Sequence, residues 1–186
     1  MKRIFDITFS IIGLTIFSPL LLLILLVGFL DTGSPIFCQV RIGKNKKPFK
    51  LYKFRSMHKN TKSVSTHLVN YSSITKFGRI LRKTKLDELP QLFNVLIGDM
   101  SFVGPRPNLF NQEELIFERE RLGVYNVVPG ITGLSQINKV DMSTPKLLAE
   151  TDSKMIQDLN IVNYFKYILS TVTGKGFGDR TVKKNT

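Results

Sequence analysis

An α+β protein mounted on an N-terminal membrane helix is what this sequence predicts, on three observations. Residues 7–30 contain no charged side chain, a run longer than the about 20 apolar residues that cross a bilayer as a helix. Residues 36–42 and 49–55 are rich in β-formers and flank a basic turn, the pattern of an antiparallel hairpin. The rest of the chain is a series of segments with helical periodicity, broken by Gly and Pro. The expected organisation is a membrane helix over residues 1–31, a small cytoplasmic domain over 32–176 and a mobile polar tail over 177–186. The domain combines a short antiparallel hairpin sheet with amphipathic helices at the bilayer surface.

Within the apolar run, Pro19 has no N–H and its ring meets the carbonyl of Thr15, so a kink is expected there, with Ser18 partly satisfying the freed backbone groups. Lys2 and Arg3 precede the run; Arg41, Lys44, Lys46, Lys47 and Lys50 follow it. Positive flanks stay on the cytoplasmic side. Two such flanks imply a re-entrant helix that dips into the bilayer and returns, and a single span with a tolerated proline is the alternative. A cleaved leader does not fit, because the run is too long and no small-x-small site precedes Asp31. Asp6 and Asp31 bracket the run and are expected at the interface.

The 186 residues carry 27 Lys and Arg against 14 Asp and Glu, a net charge of +13. That excess suits a polyanionic partner, whether an anionic membrane face, phosphorylated substrates or nucleic acid. One cysteine, Cys38, permits no internal disulfide and fits a reducing compartment as a small apolar filler. His58 and His67 lack companions at metal-ligand spacing, so a zinc site is not expected.

In the hairpin, one face is expected to carry Phe49, Leu51 and, after a bulge, Phe54, and the other Lys53 and Arg55. Residues 60–73 read as a polar loop and 74–82 as a short helix. A helix over 111–122 has Asn111 as N-cap, Glu114 three residues on and Gly123 beyond its end. Its charges Glu113, Glu118, Arg119, Glu120 and Arg121 are expected on a solvated face. Two more helices are predicted over 145–159 and 161–172, the second with Ile161, Phe165, Ile168, Leu169 and Val172 on one stripe.

The stretch Arg82-Lys83-Thr84-Lys85-Leu86-Asp87-Glu88-Leu89-Pro90-Gln91 carries the chemistry. Leu89, Leu92, Phe93, Leu96 and Ile97 follow a helical period and Gly98 stops it. Pro90 belongs in the first turn, which puts Asp87 and Glu88 at the helix N-terminus, where anions are stabilised. Standing alone, the pair reads as an ordinary acidic cap. With Arg79, Arg82, Lys83 and Lys85 beside it, it also reads as an ionised carboxylate next to a phosphate-binding cluster, which is what attack on phosphorus needs. Arg106, stiffened between Pro105 and Pro107, can grip a diphosphate, or is an exposed residue of a rigid connector. The loop Pro129-Gly130-Ile131-Thr132-Gly133-Leu134-Ser135-Gln136 offers backbone N–H groups beside small residues, suited to a nucleotide or phosphate, with Thr132 and Gln136 to read polar edges.

Taken together, these motifs resemble the bacterial sugar transferases, the monotopic polyprenyl-phosphate phosphoglycosyl transferases. The resemblance runs from about Arg3 to about Gly176. It includes Ser18-Pro19, Gln39-x-Arg41-x-Gly43, Tyr52-Lys53-Phe54-Arg55-Ser56-Met57, Leu86-Asp87-Glu88-Leu89-Pro90-Gln91, Gly98-Asp99-Met100-Ser101, Gly104-Pro105-Arg106-Pro107 and Pro129-Gly130-Ile131-Thr132-Gly133. It implies a re-entrant helix broken at Ser18-Pro19, residence at the cytoplasmic face of the bacterial inner membrane, and Mg²⁺ held by Asp87 and Glu88. It also implies a UDP-sugar donor and a polyprenyl (undecaprenyl) phosphate acceptor. Asp87 would attack the sugar-linked phosphate, UMP would leave, and the lipid phosphate would take the sugar phosphate from the enzyme. Glu88 would assist, Lys53, Arg55, Arg82 and Arg106 would bind phosphate, and Gly130, Thr132, Gly133 and Gln136 would contact the nucleotide-sugar. The product would start O-antigen, capsule, exopolysaccharide or glycoprotein glycan assembly.

Two departures bear on the sugar. Asp152-Ser153-Lys154-Met155-Ile156-Gln157-Asp158 stands where members often carry Asp-x-x-Tyr-Val-x-Asn, and Leu134 stands where an aromatic is common. Asp141-Met142-Ser143-Thr144-Pro145 is similar to members that use N-acetylated 6-deoxy hexosamines. Nucleic acid is not expected as a partner, and the oligomeric state is open, a dimer included. The rival reading, a non-catalytic basic membrane-anchored module binding anionic lipid or nucleic acid, explains the charge and the anchor but not an acidic pair inside a cationic cluster.

Overall fold

The computed structural model describes residues 2–61 and 71–173. Most of the loop expected over 60–73, with His67, and the tail over 177–186 lie outside the described residues. The apolar run folds as two helices, α1 (Lys2–Ile16) and α2 (Ser18–Thr32), bent by 62° at Phe17. Neither is long and apolar enough to cross a membrane alone. The bend has the predicted cause. Pro19 cannot donate to Thr15, and the Ser18 hydroxyl donates to that carbonyl instead (2.8 Å). The inner face of α2 packs Leu20, Leu21, Ile24 and Leu25 against Phe54 and Leu81. Its outer face leaves Leu22, Leu23, Leu26, Phe29 and Leu30 exposed, a contiguous apolar surface that water does not tolerate.

Polar groups tie α1 to the domain. Asp6 is buried and accepts from the Ser101 hydroxyl (3.0 Å), the Phe102 N–H (3.0 Å) and the Tyr164 hydroxyl (2.8 Å). This corrects its expected place at the interface: three donors from elsewhere in the fold replace its water. Burial, and then the Asp6 carboxylate, push the Tyr164 phenol far above its ordinary range, so it stays a donor. Arg3 donates to the Leu96 carbonyl (2.8 Å) and to that of Val95, the open end of helix α4 (Gln91–Ile97). At the other end of the pair, exposed Asp31 accepts from the Thr75 hydroxyl (2.7 Å), and Thr75 itself caps α3 (Lys76–Thr84).

Strands β1 (Ile36–Ile42) and β2 (Pro48–Phe54) pair antiparallel from Ile36 opposite Phe54 to Ile42 opposite Pro48, with no bulge. Unbroken alternation puts Lys53 on the face of Phe49 and Leu51, which corrects its expected position on the opposite face and buries it. Helix α4 docks on β2 through Asn94, which is fully buried. Its amide donates to the Lys50 carbonyl (2.7 Å) and accepts from the Tyr52 N–H (3.0 Å), standing in for a neighbouring strand. A second sheet was not expected: β3 (Ser101–Val103) and β4 (Gly130–Thr132) pair in parallel. Three residues each are too few to show a period.

The remaining helices are α5 (Glu113–Arg121), α6 (Leu134–Ile137), α7 (Pro145–Gln157) and α8 (Ile161–Val172). The N-cap of α5 is Gln112, not Asn111, and its side chain accepts from the Leu109 N–H instead of from the helix. Arg119 is 1 % exposed and therefore not part of a solvated face; it lies one turn beyond buried Leu115. Helix α8 has the predicted bounds. Tyr164 and Tyr167 are buried, with the Tyr164 hydroxyl on Asp6, while Leu169 and Val172 of the predicted stripe are 63 % and 79 % exposed.

Replacing Asp6 by Ala orphans three buried donors at about 1 kcal/mol or more each. Thermal unfolding of Asp6→Ala in detergent should show a loss of about 3 kcal/mol. An unchanged midpoint would mean that α1 is held by apolar packing alone.

Candidate active site

Helix α3 ends on Lys85, whose φ of 59° lies in the left-handed region. This sharp reversal throws the chain into a 3-10 turn, Leu86–Glu88, ahead of α4. Leu86 and Leu89 pack into the α2 and β2 core, which anchors the turn on both sides of the acidic pair. Asp87 and Glu88 therefore precede α4 by a separate turn, not within its first turn as expected.

Asp87 is 7 % exposed. The Oε1 atom of Glu88 accepts from Lys53 Nζ (3.0 Å) and from Arg106 Nη2 (3.0 Å). Three distant parts of the chain thus converge on one oxygen: β2, the turn before α4, and the loop after β3. The three side chains are largely shielded from water, so the ion pairs are stronger than surface pairs and each is costly to break.

Not every predicted site residue joins this centre. Arg82 borders it, in the last turn of α3 just ahead of the acidic turn, but the remaining predicted residues lie elsewhere. Arg55 donates to the Ser34 carbonyl (2.8 Å) and lies 5.5 Å from the Phe37 ring centre, serving the junction of α2 and β1. Gly130 donates its N–H to the Pro105 carbonyl (2.9 Å), so that group is spent on the neighbouring loop. A Cβ on Gly130 would fall 2.0 Å from the Gly104 nitrogen, which explains glycine at this crossing. Gly133 packs against the Gly104 carbonyl. Thr132 shares its hydroxyl with Thr171 of α8, and Gln136 is buried with its amide toward the Ile131 carbonyl (3.5 Å). The loop over 130–136 is therefore fastened against the loop of Arg106 through Gly104 and Pro105. No cluster of three metal-ligating side chains occurs among the described residues. The adjacent carboxylates still suit Mg²⁺, which takes one or two protein carboxylates and completes its shell with phosphate and water.

Reasoning from sequence missed the partnership of Lys53 with Glu88, although counting in twos from Phe49 would have found it. It also missed Asn94, Asp6 and Arg119. Asn94 is a polar residue inside an apolar helical run. Asp6, Ser10 and Gly13 form a small polar stripe on an apolar helix, and Arg119 follows Leu115 at a helical turn's spacing.

Residues 1–176 match the family described as bacterial sugar transferase. The chain belongs to the bacterial sugar transferase family. The transferase is 47 % identical over 139 residues to an uncharacterized sugar transferase, EpsL, of Bacillus subtilis (strain 168), covering 74 % of this chain and 68 % of that one. It is 38 % identical over 180 residues to the exopolysaccharide production protein PSS of Rhizobium leguminosarum bv. phaseoli, covering 91 % and 88 %. It is 35 % identical over 191 residues to the UDP-N-acetylgalactosamine-undecaprenyl-phosphate N-acetylgalactosaminephosphotransferase of Aeromonas hydrophila, covering 95 % of this chain but 44 % of the relative. With the family go a membrane location and the enzyme class, phosphoglycosyl transferase, and the non-catalytic reading falls.

Arg106→Lys keeps the charge at the loop but loses the guanidinium's reach to Glu88. Turnover of the transferase should fall by at least about tenfold, the equivalent of one charge-assisted hydrogen bond of ~1.5 kcal/mol. Near-normal kinetics would make Arg106 a connector residue.

Proposed function

We propose that this transferase moves a sugar 1-phosphate from a UDP-sugar to undecaprenyl phosphate, releasing UMP, through a covalent phosphosugar on Asp87. The observation that carries the reading is the convergence of cations on the acidic turn. Glu88 Oε1 holds both Lys53 and Arg106 at 3.0 Å, and Asp87, the adjoining residue of the same turn, is 7 % exposed. Asp87 is the carboxylate we assign to the attack, and the cations are the groups that neutralise phosphate charge.

In the first step a carboxylate oxygen of Asp87 forms a bond to the sugar-linked phosphorus. The bond from that phosphorus to the bridging oxygen breaks, and UMP departs with the electron pair. In the second step a phosphate oxygen of the lipid attacks the same phosphorus and the Asp87 carboxylate leaves. Lys53 and Arg106 hold the phosphoryl oxygens through both steps, with Arg82 adding positive charge from α3. Asp87 and Glu88 would hold Mg²⁺, which would supply further charge neutralisation. The acceptor follows that of relatives, among them a UDP-glucose:undecaprenyl-phosphate glucose-1-phosphate transferase of Klebsiella pneumoniae, 46 % identical over 144 residues. The donor inferred from Asp141-Met142-Ser143-Thr144-Pro145 is an N-acetylated hexosamine, and a panel of UDP-sugars scored by UMP release identifies it.

We also read the bent helix pair as re-entrant. What supports this is that Arg3 and Asp6 at one end, and Asp31 at the other, are all bonded to the same domain, so both ends lie on one side of the bilayer. The exposed apolar residues Phe93 and Ile97 of α4 and Leu169 and Val172 of α8 fit a membrane surface.

Asp87→Asn should reduce UMP release to background while leaving the fold intact; substantial turnover would remove Asp87 as the nucleophile. Pro19→Ala restores the missing N–H and should straighten the pair. A cysteine placed at Lys2, with Cys38 replaced, should then change its labelling by a membrane-impermeant reagent. Unchanged labelling would deny Pro19 the hinge role.

A further inference from the structure

The loop that presents Arg106 is held in an unusual way. Prolines at 105 and 107 remove two of its own N–H groups, yet four consecutive carbonyls all accept from outside the loop, two of them from neighbouring residues of β1. Pro105 accepts from the Gly130 N–H (2.9 Å) and Asn108 from the Ile42 N–H (3.0 Å). Between them, Arg106 accepts from Arg119 Nη1 (2.8 Å) and Pro107 from Arg41 Nη1 (3.2 Å).

Arg119 is the more deeply set of the two guanidiniums. The same Nη1 also donates to Asn108 Oδ1 (2.9 Å). Its Nε and Nη2 donate to Asp152 Oδ2 (3.1 and 2.6 Å), and Asp152 Oδ1 accepts from the Ser135 hydroxyl (2.7 Å). Asp152 is fully buried. Ser135 lies between Gly133 and Gln136 in the loop behind Arg106. One planar fork therefore spans from the backbone of the residue that grips Glu88 to the second loop of the site, a geometry the single ammonium of lysine cannot reproduce.

We propose that the buried Arg119–Asp152 pair is a positioning device for the transfer reaction: it fixes the backbone of Arg106 so that its guanidinium meets Glu88, and it registers that loop against the Gly133–Gln136 turn. Neither residue touches the acidic pair itself. The role in catalysis rests on the proposed function; the role in holding the loop does not. A bulk structural role would be met by any well-packed replacement, since buried ion pairs are often exchanged for apolar side chains of similar volume without loss of stability. A positioning role would not, because the replacement has nothing to offer the Arg106 carbonyl.

The test is the double variant Arg119→Met/Asp152→Leu in the full chain, with Arg119→Lys as the variant that keeps the charge. Thermal unfolding, deuterium exchange over residues 101–109, and the kcat and KM of UMP release are measured together. The double variant should unfold near the wild-type temperature, exchange faster in 101–109 than the wild type, and lose at least about tenfold in kcat with little change in KM. Arg119→Lys should show faster exchange and lower kcat in the same segment even if the double variant fails to fold. Wild-type exchange over 101–109 in whichever variant folds, or kcat retained there, would overturn the proposal. Absence of UMP release from the wild type would defeat the functional reading while leaving the exchange result to decide the loop.

Discussion

The fold turns on one oxygen atom. Glu88 Oε1 receives both Lys53 and Arg106, which draws a hairpin strand and a proline-bounded loop onto the 3-10 turn of the acidic pair. Two like charges side by side repel, and a shielded site amplifies that repulsion. The shared carboxylate lets them sit together, which creates a place where phosphate charge is welcome. The rest of the architecture serves this convergence. Asn94 fastens the helix after the acidic turn to β2, Gly104 and Gly130 let two backbones cross at contact distance, and four clamped carbonyls keep Arg106 in place.

The membrane pair is built into the same framework. Asp6 bonds to the first residues of β3, the strand that runs directly into the Arg106 loop. On the other side, α2 packs against Phe54 and Leu81, next to Lys53 and the acidic turn. The two helices therefore form the walls to which the site is fixed as well as the anchor. The reaction we propose, which joins a water-soluble diphosphate to a lipid phosphate, would need this arrangement, because the acceptor headgroup and the proposed nucleophile must meet at the boundary of two solvents.

Much of this was legible in the sequence, and the failures share a cause. The uncharged run, the proline bend, the hairpin bounds and the helix over Ile161–Val172 follow from local rules of length, sterics and period. Asp87 and Glu88 could be singled out because unlike charges clustered near a helix start. What local rules do not carry is the tertiary partner. Asp6, Arg119 and Lys53 carry charges, and charge by default predicts exposure; each is buried because a partner from a distant segment replaces water. The sequence stripe of α8 did not reveal that its tyrosines are the buried residues, because the Tyr164 hydroxyl bonds to Asp6, a partner distant in the chain. Strands of three residues were invisible for want of a repeat.

The central claim is that Asp87, and not its neighbour Glu88, forms the bond to phosphorus. The most direct measurement is mass spectrometry of the intact transferase, followed by peptide mapping, after incubation with the UDP-sugar that supports UMP release and with no lipid acceptor. The account predicts a sugar phosphate adduct on the peptide containing Asp87, located to that side chain and discharged when undecaprenyl phosphate is added. An adduct on Glu88, or lipid product formed with no adduct at any stage, would contradict it.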